Sequence, residues 1–315
     1  MGLYESIGAI QQSDGGRLID WDAAANAATA STPRGKLDLD APTEAAYREA
    51  VIEARDGVRS TVGTDVSLPD VIEVIDRHHW IEQAAATFDL MVTPAMPELD
   101  SGPVPRSINT TTAAITLGFL GRRVIGQYDP ALFGDPDDSA LYVVHPNVEE
   151  VATELEVDVE LFRRWIMHHE VSHAAEFALA PWLRPHLEHH LEAVLSGLPE
   201  RQLNREALGE LNRTMTAIEG FAELLMDEAL DEDVTLLRER LEARRAGMGP
   251  IQQLIEWLLG ISAKRQQYKR GRTFFIAIED AQGMDGTLAV WETPDNLPTD
   301  EELADPERWI ERVDP

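Results

Sequence analysis

The chain has 315 residues, of which 43% are hydrophobic, and its 57 acidic and 27 basic residues give a net charge of −30 at neutral pH. It contains no cysteine, which excludes disulfide bonds and thiolate ligands, so any metal must be held by His, Asp or Glu. The charge also argues against nucleic acid or an anionic membrane as a partner, because an acidic surface repels both.

The acidic residues are spread along the whole chain rather than gathered in one tail. A basic partner protein is one explanation; a salt-rich cytoplasm, which screens the repulsion between carboxylates, is the other. The even spread favours the second, and we predict a cytoplasmic protein of a halophilic prokaryote. No apolar run is long enough to cross a membrane, and no secretory signal precedes the first predicted helix.

The N-terminal part of the chain is predicted to be helical. One helix is predicted over 41–62 and another over 67–88, where Ser67 is a good N-cap and apolar residues recur with helical spacing. The Pro-rich stretch PAMPELDSGPVPRS interrupts this pattern, and a helix of small residues follows over 108–121. We assign residues 1–105 to an N-terminal helical region.

Two short strands are predicted next, in RRVIGQYD and SALYVVHP, and they form a hairpin or a small sheet. Asp158 then offers an N-cap for a helix that runs to about residue 179, and further helices follow it. The fold is therefore predicted to be mainly α, with a central metal-binding region over 106–286. The acidic, Pro-rich tail over 287–315 is predicted to dock on the surface through Trp309, so that the regions form one compact unit.

The helix that begins near Asp158 carries HHEVSH, in which His169, Glu170 and His173 spell H-E-x-x-H. Residues four apart lie on the same side of a helix, so His169 and His173 aim two imidazoles at one point, as a zinc site requires. Glu170 is rotated by about 100° and can reach a water on the metal, whose proton it accepts. These three residues would also fit a partly exposed helix surface, and a third ligand decides between the two interpretations.

A catalytic zinc needs a third protein ligand, which can be a glutamate. In IEGFAELLMDEA, Glu219, Glu223 and Asp227 recur every four residues beside an apolar helix face. Gly220 costs about 1 kcal/mol relative to alanine inside a helix, and close approach of another helix would justify it. We therefore predict Glu219 as the third ligand. Glu223 or Asp227 is predicted to hold a ligand imidazole by its other nitrogen, although a solvated charged face also explains both.

A second group of histidines occurs in RPHLEHHLE, which contains His186, Glu188, His189 and His190. His186 and His190 are also four residues apart, but their helix is polar, and we interpret them as mostly surface groups. His168 adjoins the first predicted ligand and points elsewhere on the helix, where it could line the cleft.

The segments HHEVSHAAEF, PWLR, IEGFAELLMD and KRQQYKRGRTFF together resemble a family of zinc-dependent metalloproteases of actinobacteria and haloarchaea. Its members have also been labelled as associated with deazaflavin coenzyme biosynthesis. The wider group is the gluzincins, in which H-E-x-x-H supplies two ligands and a later helix supplies a glutamate. The resemblance implies a zincin-like helical architecture with Zn²⁺ on His169, His173 and Glu219 and with Glu170 as the general base. Phe221 stands where a histidine is common in the family.

These patterns predict a zinc-dependent hydrolase, with a metallopeptidase that uses zinc-bound water and Glu170 as the leading hypothesis. The substrate is then a peptide or a small amide. Two alternatives stay open: a catalytically inactive zinc-binding scaffold, and a metal hydrolase of a small-molecule amide. A developing oxyanion needs a further donor. The candidates for that role, or for substrate contacts, are Tyr268, Tyr128, His168 and Arg184. The sequence predicts no particular oligomeric state.

Overall fold

The computed structural model describes residues 18–63, 66–68, 72–95, 103–197, 202–230, 232–246 and 264–314. This part of the chain is mainly α-helical with a small sheet, which confirms the predicted fold class. The strands are β1 (Glu73–Ile75), β2 (Gly126–Asp129) and β3 (Ala140–Val144). The helices are α1 (Trp21–Ser31), α2 (Ala41–Val62), α3 (Arg77–Ala95), α4 (Pro103–Gly121), α5 (His145–Leu155), α6 (Val159–Leu179), α7 (Leu183–Leu195), α8 (Arg205–Ala229), α9 (Thr235–Ala246), α10 (Lys264–Leu288), α11 (Asp300–Ala304) and α12 (Pro306–Val313). None of the helices described is long and apolar enough to cross a membrane.

The chain divides into two compact units, each assembled from separate segments. The sheet unit comprises Met1–Leu39, Glu73–Val151 and Leu191–Arg205, and the helical unit comprises Asp40–Ile72, Ala152–His190 and Glu206–Pro315. This division differs from the predicted regions 1–105, 106–286 and 287–315, because helices far apart in sequence pack together, as α2 does with α6.

The sheet has the strand order β1–β3–β2, with β1 parallel and β2 antiparallel to the central β3. The β2–β3 pair is the predicted hairpin. The helix predicted over 67–88 differs from the structure, since Glu73–Ile75 forms β1 and α3 begins only at Arg77. Asp76 separates the two elements by accepting hydrogen bonds from the main-chain N–H groups of His78 and His79, both at 2.9 Å.

In the helical unit, α6 is buried along most of its length. Asp158 caps its N-terminus by accepting a hydrogen bond from the Leu161 N–H at 2.8 Å, as predicted. Arg163 lies over the Tyr47 ring of α2, 5.1 Å from its centroid. Arg164 donates to Glu53 of α2 at 2.7 Å. These contacts fix the orientation of the helix that carries the H-E-x-x-H motif.

Helix α8 crosses α10 at two glycines. A Cβ atom on Gly220 would lie 2.6 Å from the Gly271 Cα, and one on Gly271 would overlap the Thr216 carbonyl oxygen. The predicted close approach of another helix at Gly220 is therefore observed. Phe221 is fully buried next to it, with ring centroids 5.2 Å from Phe275 and 5.4 Å from Trp291.

The C-terminal tail belongs to the helical unit. The Trp309 ring is fully buried and packs edge-on against Phe274, with 5.6 Å between ring centroids. Its Nε1 donates a hydrogen bond to the Asn296 carbonyl at 2.6 Å. The tail is thus anchored through the tryptophan that the sequence indicated.

Candidate metal centre

His169 and His173 lie one turn apart on α6 and bring their rings together edge-on. Their ring centroids are 4.5 Å apart with 77° between the planes, and their Nε2 atoms are 3.2 Å apart. Both side chains keep a small exposed fraction, 19% for His169 and 15% for His173. Two imidazole nitrogens therefore face one point that solvent can reach.

Glu219 reaches the same point from α8. Its Oε2 atom lies 4.0 Å from Nε2 of His169 and 3.9 Å from Nε2 of His173, and the residue is only 7% exposed. Within the described part of the chain, these three residues form a group whose ligand atoms all lie within 4.8 Å of one another. The structure therefore brings together the three residues that the sequence predicts as ligands.

The separations and the chemistry of this donor set fit zinc. A tetrahedral zinc with bonds of about 2.0–2.2 Å places neighbouring ligand atoms about 3.3 Å apart. The two Nε2 atoms already have that spacing, and Glu219 needs to move by only about half an ångström toward them. Two histidines and one glutamate are also a known ligand set for catalytic zinc.

Glu176, on α6, holds His173 by its other ring nitrogen. The Nδ1–H group of His173 donates to Oε2 of Glu176 at 3.0 Å, and Glu176 is fully buried. This bond fixes the tautomer in which the Nε2 lone pair of His173 faces the candidate metal position. Glu176 was not predicted from the sequence, although its position three residues after His173 in an otherwise apolar turn is a usable signal.

The buried charges around His173 explain its titration. Burial acts to lower the pKa of His173, but the carboxylates of Glu176, Glu219 and Glu170 outweigh burial and raise it. For Glu176, burial raises the pKa, and the neighbouring His173 acts in the opposite direction. Three carboxylates in a buried site favour a cation there, and a divalent metal would take the place of the proton on His173.

His169 is held differently. Its Nδ1 atom lies 3.2 Å from the thioether sulfur of Met226, a weak acceptor, and its ring stacks on Trp165 with 3° between the planes. Ring packing therefore contributes to the orientation of this imidazole. Neither Trp165 nor Met226 was identified from the sequence.

Glu170 is 6% exposed and lies beside the ligand pair on α6. Its negative charge contributes to raising the pKa of His173. A carboxylate in this position can accept a proton from a water molecule and return it to a leaving group.

Glu223 and Asp227, predicted to hold a ligand imidazole, form ion pairs with arginines of two other helices. Arg238 of α9 pairs with both, at 3.4 Å from Glu223, and Arg272 of α10 donates to Asp227 at 2.6 Å. Among the described contacts, Nδ1 of His173 bonds to Glu176 and Nδ1 of His169 lies against Met226. Two arginines distant in the sequence draw the predicted carboxylates into ion pairs between helices.

The structure describes the side chains of three of the four residues predicted as oxyanion or substrate contacts. His168 is completely buried and cannot line a cleft; its Nδ1 donates to the Arg164 carbonyl at 2.8 Å. Arg184 pairs with Glu188 at 3.2 Å. Tyr128 lies in β2 of the sheet unit, and the Tyr268 side chain falls outside the described residues.

The chain is similar to a family of metallopeptidases and to one solved structure. The model of the zincin-like metallopeptidase family matches residues 19–203 and 198–310. The structure is similar to that of a "putative hydrolase with a novel fold" from Chloroflexus aurantiacus, with 29% sequence identity, a TM-score of 0.76, and coverage of 94% of this chain and 99% of that chain. A search of curated proteins finds no match. The family match spans nearly the whole chain, and the protein therefore belongs to the zincin-like metallopeptidase family.

Proposed function

We propose that this chain is a zinc-dependent hydrolase that cleaves peptide bonds, with His169, His173 and Glu219 as metal ligands. The observation that carries the proposal is the convergence of these three side chains from two helices in a family of zincin-like metallopeptidases. Catalytic zinc sites have three protein ligands plus solvent, whereas structural sites are closed by four. Three converging ligands among the described residues therefore favour catalysis over a scaffold role.

Bound zinc would supply a Lewis acid that polarises the scissile carbonyl and makes water more acidic. Glu170 accepts a proton from the attacking water as the water oxygen bonds to the carbonyl carbon. Glu170 then delivers that proton to the amide nitrogen as the C–N bond breaks, which releases a carboxylate and an amine. Glu176 keeps the His173 ring in position throughout, and Trp165 does the same for His169.

The substrate class is proposed from the family and from the similar structure. The family is described as metallopeptidases, and the Chloroflexus protein is described as a hydrolase. Both descriptions suit cleavage of an amide bond by the residues above. A peptide is the proposed substrate, and the experiment below distinguishes it from a small-molecule amide.

The test compares the wild-type protein with Glu170→Gln, each loaded with one equivalent of zinc. A denatured-proteome peptide library is digested, and new termini are counted by mass spectrometry. We expect the wild type to cleave peptides and E170Q to lose at least about 100-fold in rate while keeping its zinc, since it lacks only the proton acceptor. Glu154→Gln is the matched control, because Glu154 pairs with Arg244 and is not one of the candidate site residues.

Undiminished cleavage by E170Q would remove Glu170 from the mechanism. Peptides left intact by a zinc-loaded wild type that hydrolyses small amides would contradict the peptidase assignment while leaving the metal centre in place. A zinc-loaded wild type without either activity would indicate a scaffold.

A further inference from the structure

A second pair of histidines on α7 repeats the arrangement of the metal-centre pair. The ring centroids of His186 and His190 are 4.5 Å apart with 66° between the planes, against 4.5 Å and 77° for His169 and His173. His189 lies 5.1 Å from His190, centroid to centroid. The three histidines of α7 were predicted to be mostly surface groups. His189 is exposed, whereas His186 and His190 are half-buried.

A neighbouring hydroxyl fixes the tautomer of His186. Thr214 of α8 donates its hydroxyl hydrogen to the Glu210 carbonyl at 2.9 Å, so its oxygen can only accept from His186. The Nε2 atom of His186, 3.1 Å from that oxygen, is therefore the donor. The lone pair of Nδ1 is left available, which is the arrangement of a metal-binding histidine whose other nitrogen donates to a fixed acceptor.

The surroundings keep this pair neutral and supply negative charge. Burial, and then the other histidines, lower the pKa of both His186 and His190. Neutral imidazoles are the form that binds metals. Glu206 and Glu210 of α8 act on His190 with negative charge, although Arg213 pairs with Glu210 and offsets part of it.

We propose that His186 and His190 form a second transition-metal site that joins α7 to the start of α8. Imidazole ligands suit zinc, copper and nickel. Candidate further ligands are His189, whose ring lies 5.1 Å from that of His190, and Glu210, whose charge acts on both histidines. The described residues place no third ligand atom as close as Glu219 is at the first site. Binding therefore needs a side-chain rotation and is weaker than at the first site. This proposal does not depend on the proposed function.

The test titrates zinc alone into the metal-free full-length protein and follows the heat of binding. We expect two phases, one tight and one weaker. His190→Ala should raise the dissociation constant of the weaker phase at least tenfold and leave the tight phase unchanged. His186→Ala should act in the same way, and Thr214→Val should weaken the second phase less, because it removes only the acceptor that holds His186.

His79→Ala is the matched control, since His79 is a helical histidine bonded to Gln83 and should leave both phases intact. Thermal unfolding followed by circular dichroism should show that H190A is folded and that the wild type, unlike H190A, gains stability from the second equivalent of zinc. A single phase in the wild type, or a weaker phase that H190A does not change, would overturn the proposal.

Discussion

Glu176 provides the sharpest test of how the candidate metal centre is held. The residue is completely buried, and its Oε2 accepts the His173 Nδ1–H at 3.0 Å. Glu176→Ala removes this acceptor and frees the ring to rotate. Loss of such an outer partner of a zinc-bound histidine typically costs about 10–100-fold in metal affinity, or about 1.4–2.7 kcal/mol.

Two variants separate charge from geometry. Glu176→Gln retains an acceptor oxygen, so the His173 tautomer is kept and only the negative charge is lost; we expect a loss of about tenfold or less. Glu176→Ala should approach about 100-fold, because orientation and charge are lost together. Zinc affinity is measured by competition with a fluorescent chelator, and peptide cleavage is expressed per bound zinc.

The controls exclude a general folding defect. Glu154→Gln changes a carboxylate that pairs with Arg244, and this variant should bind zinc as tightly as the wild type. Circular dichroism melts of the zinc-loaded proteins show whether each variant is folded. If folded E176A held zinc as tightly as the wild type, the assigned role of Glu176 would be wrong.

Three further predictions concern packing and charge. Gly220→Ala should lower the free energy of unfolding by about 1–3 kcal/mol, because its Cβ would meet the main chain of Gly271. Denaturant melts measure this loss, and Gly209→Ala on the same helix is the control, which should not lower the free energy of unfolding. Arg312 and Thr299 hold the pKa of Glu302 below its ordinary range against burial, so Glu302 stabilises the fold at neutral pH and loses that effect as the pH falls through its folded pKa. Glu302→Gln should therefore be less stable than the wild type by about 1–2 kcal/mol at pH 7, and this gap in chemical melts should close toward pH 3. With a net charge of −30, the melting temperature should rise with sodium chloride, and a melting temperature independent of salt would contradict the predicted adaptation to a salt-rich cytoplasm.

Local helix geometry made the candidate metal ligands predictable. The four-residue spacing of His169 and His173 fixes their relative direction once the segment is a helix. Glu219 could be selected because Gly220, beside it, marks a close helix crossing, and the structure shows that crossing at Gly271. Both inferences depend on short stretches of sequence.

Contacts between distant segments limited the other predictions. Glu223 and Asp227 have the right periodicity, but the sequence does not show that Arg238 and Arg272 pack against them. Strand β1 was missed because its three residues continue an apolar helical pattern, and only pairing with β3 makes them a strand.

Glu176 was missed for a different reason, since a partner for the ligand imidazole was sought on a later helix. The structure places it on α6 itself, three residues after His173. A search for buried carboxylates within one turn of each ligand would have found it.

The most direct test of the account is a zinc-edge anomalous diffraction map of crystals of the protein loaded with one equivalent of zinc. We predict one dominant peak within about 2.0–2.2 Å of Nε2 of His169, Nε2 of His173 and a carboxylate oxygen of Glu219, with solvent as the remaining ligand. A peak elsewhere, or one at the histidine pair with the Glu219 carboxylate turned away, would contradict the proposed centre.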